Sequence, residues 1–174
     1  MVDTHIRLKS GSVNTWVEKL KPDSSYEIRT PAAVTAVRGT AYRLTSSEEI
    51  TRTEVTEGEV GVAAGGAEKH VGDGYGIVAQ VGKPLPEPVK LLPTPELSDN
   101  LSDDKSVLKM SWKELDGASI YRYQLATDEK FNQVIIDDET VDASIEITDL
   151  KPGRYYILVR GADRYKLEDL DGYG

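Results

Sequence analysis

The side chains able to do chemistry are few and scattered. His5 and His70 stand far from one another and from any Cys or ligand-spaced acidic cluster, and a lone His is ordinarily a surface or satisfied residue, so no metal is expected. Arg38 precedes a turn glycine on an otherwise apolar run. Its guanidinium is either paired, with Glu57 or Glu59 as the acidic partner from a neighbouring rung, or projected as an anchor for an anion or a partner's carboxylate. Asp137-Asp138-Glu139 with Asp142 has the hard oxygens a calcium ion takes, but lacks a Gly-turn loop with alternating ligands. A charged outer strand that protects a sheet edge accounts for it more simply. Asp169-Leu170-Asp171-Gly172 matches only a fragment of a calcium loop. Gly72-Asp73-Gly74-Tyr75-Gly76 lacks the Lys-Ser/Thr ending and the following helix that a phosphate loop needs. With no Ser/His/Asp order, paired His, nucleotide loop or Cys, neither an enzyme nor a cofactor is expected.

The elements that must carry these residues are strands. The 174 residues are 39% apolar, enough for one large or two small cores. Met1 to Lys90 holds 11 Lys+Arg and 12 Asp+Glu, net −1, and Leu91 to Gly174 holds 10 and 18, net −8, which together give −9. The acidity belongs to the second half and speaks against nucleic acid or an anionic membrane as its partner. Without Cys there is no disulfide framework, and no run approaches the ~18 apolar residues of a membrane helix. The first residues lack the basic-then-apolar pattern of a signal peptide, and an export signal further upstream stays open.

The first half alternates apolar and polar residues between turn signals. Ile6, Leu8, Val13, Trp16 and Val17 form a first rung, Lys21 to Ser25 a turn, and Tyr26, Ile28 and Thr30 lead into a run of small and β-branched residues. Pro31 near the start of that run and Gly39 in its middle make it strand, tight bend, strand. Gly39 to Gly58 is 19 residues and Gly58 to Gly76 is 18, a spacing that fits either a solenoid or β-roll or a small irregular barrel.

Thr30-Pro31, then Val37-Arg38-Gly39-Thr40 and the aromatic-Arg pair Tyr42-Arg43, resemble the signature of the FecR family of periplasmic regulators. The likeness is specific over Arg29 to Leu44 and looser over the first half of the chain. It implies a twisted β-solenoid, a periplasmic setting and a protein partner.

Lys83 to Glu96 holds most of the prolines and reads as a semi-rigid linker over 83–99, between a first domain of residues 1–82 and a second of 100–174. Beyond it the period is two: Leu108, Met110 and Trp112; Tyr121, Tyr123 and Leu125; Ile145 and Ile147; Tyr155, Ile157 and Val159. Short alternating strands with turns between them argue for an antiparallel sandwich. Trp112, Tyr121 and the run Leu150-Lys151-Pro152-Gly153-Arg154-Tyr155 resemble a fibronectin type III module, and the resemblance makes Tyr155 the tyrosine-corner residue. Leu167 to Gly174 is short and glycine-rich, so the last strand is expected to be truncated. The edge beside Tyr155 to Arg160 is then open to a neighbouring chain or covered by Val89 to Leu92.

The expected fold is therefore all-β, a FecR-like β-solenoid or β-roll followed by a fibronectin type III-like sandwich. The expected function is a non-catalytic binding or scaffold part of an envelope protein. Its partner is a protein or a cell-wall component, with no nucleic acid, no membrane insertion within this stretch, and self-association through an edge strand. The alternative is a FecR-type module that relays the occupancy of an iron transporter to a sigma-factor regulator.

Overall fold

A computed structural model describes residues 3–17, 24–37, 39–98, 107–169 and 172–173. The chain divides into two units, Met1–Leu91 and Leu92–Gly174, and no helix is present among the described residues.

The first unit has ten strands: β1 (Asp3–Arg7), β2 (Gly11–Trp16), β3 (Ser25–Arg29), β4 (Val34–Val37), β5 (Ala41–Ser46), β6 (Ile50–Glu57), β7 (Glu59–Ala64), β8 (Ala67–Gly72), β9 (Tyr75–Gln80) and β10 (Val89–Lys90). They form two five-stranded sheets, β1-β3-β4-β7-β8 and β10-β9-β6-β5-β2, neither closed into a barrel. Alternation turns Ile28, Val37, Tyr42, Leu44, Val55, Val60, Val62, Val71 and Ile77 into one core. At roughly 1.5–3 kcal/mol for each large side chain fully buried, this cluster is the main source of cohesion in the unit.

β1 and β3 pair in parallel, while β2, which lies between them in sequence, belongs to the other sheet. The remaining ladders of the unit are antiparallel. The regular glycine spacing falls at changes of sheet. At Gly39 the chain crosses from β4 in one sheet to β5 in the other, at Gly58 it crosses back from β6 to β7, and at Asp73-Gly74 it crosses again. Between the first two crossings lies one antiparallel hairpin, so 19 residues measure an out-and-back path.

Parts of the proline segment pair within each unit. Leu85 is buried in the first core, Val89–Lys90 pairs with Tyr75–Gly76, and the Leu91 N–H donates to the Gly74 carbonyl at 2.9 Å. On the far side, the Lys113 N–H donates to the Glu96 carbonyl at 3.1 Å. Extended X-Pro backbone suits edge pairing, and the apolar residues between the prolines supply surface to bury.

The second unit has a three-stranded sheet, β11 (Leu97–Ser98), β12 (Leu108–Trp112) and β15 (Ser144–Ile147), in the order β11-β12-β15. Its second sheet has four strands, β13 (Ile120–Ala126), β14 (Val134–Thr140), β16 (Tyr156–Ala162) and β17 (Gly172–Tyr173), in the order β14-β13-β16-β17. Trp112, Tyr121, Leu125, Ile147, Ile157 and Val159 make the core, with Trp112 edge-on to Tyr121 at 5.2 Å.

The edge of β16 is paired over part of its length. Gly172–Tyr173 pairs with Leu158–Val159, and a bridge joins Ala162 to Glu168. The run after Ala162 is anchored through one of its charges. Leu167 is buried, and the fully buried Asp169 carboxylate accepts the Gly161 N–H at 2.8 Å. Val89–Lys90, the alternative cover, belongs to the first unit.

Candidate functional site

The motif residues Thr30 to Arg43 form the joint of the first unit. The Thr30 hydroxyl donates to the Ala33 carbonyl at 2.9 Å and accepts from Thr51 at 2.7 Å, so the turn at Pro31 is tied to the opposite sheet. Val37 ends β4 inside the core. Gly39 has φ of +107°, a conformation that L side chains resist, and this lets the chain leave one sheet for the other. Thr40 then clamps both sides. Its backbone exchanges two hydrogen bonds of 3.0 Å with Val17, and its hydroxyl donates to the Glu59 carbonyl at 2.9 Å. Tyr42 faces the core, where burial pushes its phenol above the ordinary range. Arg43 points the other way and is also buried, with its Nε 3.8 Å from the equally buried Glu54 carboxylate across the β5–β6 ladder. Arg38 lies outside the described residues. Of its two expected partners, Glu59 accepts from His70 and Glu57 is exposed.

The outer face of the β1-β3-β4-β7-β8 sheet carries a groove of about 330 Å³. Register builds it: Glu27, Ala36, Gly61 and His70 stand side by side on β3, β4, β7 and β8. Ala36 and Gly61 give a low floor, and Glu27, Glu59, Glu68 and His70 rise around it. An added Cβ at Gly61 would lie 2.7 Å from the Glu68 carboxylate, the far end of an exposed side chain that would have to swing aside. His70 Nδ1 is 3.0 Å from Glu59, His5 Nδ1 is 3.5 Å from Glu27, and Arg29 donates to Glu27 at 3.1 Å. The sequence presents the two histidines as isolated. Cross-strand pairing gives each a carboxylate neighbour, which becomes visible only once the register is known. What this surface can do is accept hydrogen bonds and attract cationic side chains.

In the second unit, the Tyr155 hydroxyl donates to the Lys151 carbonyl at 2.7 Å. This closes the turn at Pro152-Gly153, where the Tyr155 ring lies 3.6 Å from the position a Gly153 Cβ would take. Leu150 packs against the core beside it, and the Tyr121 hydroxyl accepts the Leu115 N–H at 2.8 Å. The acidic run falls on β14, the outer strand of its sheet. Asp137 accepts two hydrogen bonds of 2.7 Å from Arg122 and one of 2.9 Å from Gln124. Glu168 links Arg122 to Arg160 at 3.1 and 3.2 Å. Among the described residues no group of three or more His, Asp and Glu is placed to hold a metal ion. Asp171 of the calcium-loop fragment is outside them.

The Arg122 fork holds Asp137 below the ordinary carboxylate range, against the opposing effect of its partial burial. A depressed carboxyl contributes stability above its unfolded value, about 3.9, and loses it as pH falls through the folded value. The pair is about a third exposed, so Asp137→Asn is expected to cost about 1 kcal/mol at neutral pH. The variant's urea midpoint should also fall less steeply than the parent's on acidification below about pH 4. Equal acid slopes in parent and variant would remove Asp137 from the account.

The two sheets and the joint between them define the first unit as an all-β module. Residues 1–61 match the family described as FecR protein. Two crystal structures of a candidate anti-sigma factor from Parabacteroides distasonis ATCC 8503, at 1.65 and 2.50 Å resolution, are similar to part of the chain. Each is 14% identical over the aligned part, with TM-scores of 0.45 and 0.46. The alignments take in 51% and 52% of this chain and 42% of the other. No curated protein matches. No helix among the described residues is long and apolar enough to cross a membrane.

Proposed function

We propose that this chain is a non-catalytic protein-binding part of a bacterial envelope FecR-domain protein, facing the periplasm. The groove over Ala36 and Gly61 is the observation that carries the reading: a concave surface whose acidic rim suits an Arg or Lys side chain of a protein partner. The described motif residues Thr30, Val37, Gly39, Thr40, Tyr42 and Arg43 are engaged in folding, so specificity falls to the surface they support. The second unit serves as spacer or docking module of fibronectin type III type. Its three and four strands in two sheets and the Tyr155 hydroxyl tie support that reading. The FecR match of residues 1–61 favours a second use of the same surface, as the relay between an iron transporter and a sigma-factor regulator.

A photo-crosslinking residue in place of Ala36, introduced in the native bacterium, tests this directly. A discrete protein adduct is expected from Ala36 and none from a control position on the far unit, Lys109. The adduct should fade when Gly61→Arg fills the floor with a cation. Adducts to wall polymer alone, or equal labelling from both positions, would contradict a protein-binding groove.

A further inference from the structure

We infer that β2 is a self-association edge, at which a second copy of this chain adds its own β2 to the sheet. Outer strands offer unpaired backbone groups, and proteins ordinarily blunt them with charge, Pro or short length. The other outer strands here follow that rule. β1 carries Asp3, His5 and Arg7; β8 carries Glu68, Lys69 and His70; β14 carries Asp137, Asp138 and Glu139; β15 carries Glu146; β10, β11 and β17 have two residues each. β2 is six residues, Gly-Ser-Val-Asn-Thr-Trp, with no charge and no Pro, and it ends in Trp16 at 73% exposure.

The register says which groups are on offer. Val17 and Thr40 exchange two hydrogen bonds, so the alternation of an antiparallel ladder makes Thr15, Val13 and Gly11 the residues bonded to β5. The N–H and C=O groups of Ser12, Asn14 and Trp16 therefore face away from β5, and all three residues are exposed. These three are spaced evenly about Asn14. An antiparallel pairing with a two-fold axis at Asn14 sets Ser12 against the partner's Trp16 and Asn14 against the partner's Asn14. Every outward group is then met, and no like charges face each other, which is what an isologous contact requires. The side chains of Ser12, Asn14 and Trp16 lie on one face, so each Trp16 covers the partner's Ser12 across the new ladder. A foreign strand would also find the backbone groups, but the symmetric register about Asn14 favours a second copy. The acidic groove lies on the other sheet, so the two surfaces are independent.

Sedimentation equilibrium of the full chain over a concentration series tests this. A monomer–dimer equilibrium is expected, with Trp16 fluorescence shifting to the blue as the dimer fills while the buried Trp112 contributes a constant signal. Asn14→Lys places two ammonium groups on the axis and should weaken the dimer about tenfold or more. Trp16→Lys should do the same, and Ile135→Lys on the exposed β14 edge should leave it unchanged, with circular dichroism confirming that each variant folds. A chain that stays monomeric at every concentration overturns the inference. So does a dimer that ignores both β2 substitutions or responds equally to Ile135→Lys.

Discussion

Arg43→Ala is expected to destabilise the first unit by ~3–5 kcal/mol, measured as a lowered urea midpoint, because it removes the guanidinium facing the buried Glu54 carboxylate. Glu54 is 3% exposed and stands opposite Arg43 on the neighbouring strand, so it cannot turn to water without unpairing β5 from β6. The reverse substitution, Glu54→Ala, leaves a buried guanidinium and should cost a similar amount. Replacing both by Leu removes both desolvation costs and should return most of the loss, since buried ion pairs are frequently no better than apolar residues of similar volume.

Gly58→Ala is expected to cost roughly 2–4 kcal/mol, more than an ordinary glycine turn would. Gly58 has φ of +81°, and an added Cβ would stand 3.0 Å from the Gly39 carbonyl oxygen, where the two sheet crossings touch backbone to backbone. Gly66 provides the control inside the same unit: it also has φ of +81°, with nothing within 4 Å of an added Cβ. Gly66→Ala should therefore cost about 1 kcal/mol, the conformational part alone. If the two substitutions cost the same, the contact between the crossings contributes nothing.

The strands of the second unit were legible in the sequence because each buries one face. Leu108, Met110 and Trp112 face the core while Lys109 and Ser111 do not, and alternation alone reports that. β16 is buried on both sides, from Ile157 to Ala162, so its period is blurred, and Arg160 reads as an outward residue when it is in fact covered and bound to Glu168. In the first unit the bend at Gly39 was readable from the residue type. Where the chain goes after the bend was not, because a crossing between sheets and a coil of a solenoid ask for the same glycine. Arg43 offered one unused sign: a charge in the middle of Tyr42-Arg43-Leu44 must be either exposed or paired, and β5 is buried on both faces there. The groove could not be found without register, because Glu27 comes from a strand far in sequence from those of Glu59, Glu68 and His70. In the sequence Trp16 reads as part of a first rung, and only the sheet order shows that it stands on an outer strand.

The central claim is that the motif builds the fold while the surface beside it binds. The double variant Arg43→Leu with Glu54→Leu, carrying the photo-crosslinking residue at Ala36, separates the two roles in one measurement. The account predicts a urea midpoint close to the parent's, well above either single alanine variant, together with an undiminished protein adduct. A double variant that is fully stable yet gives no adduct would contradict it, since Arg43 would then belong to the binding site and not to the scaffold that holds it.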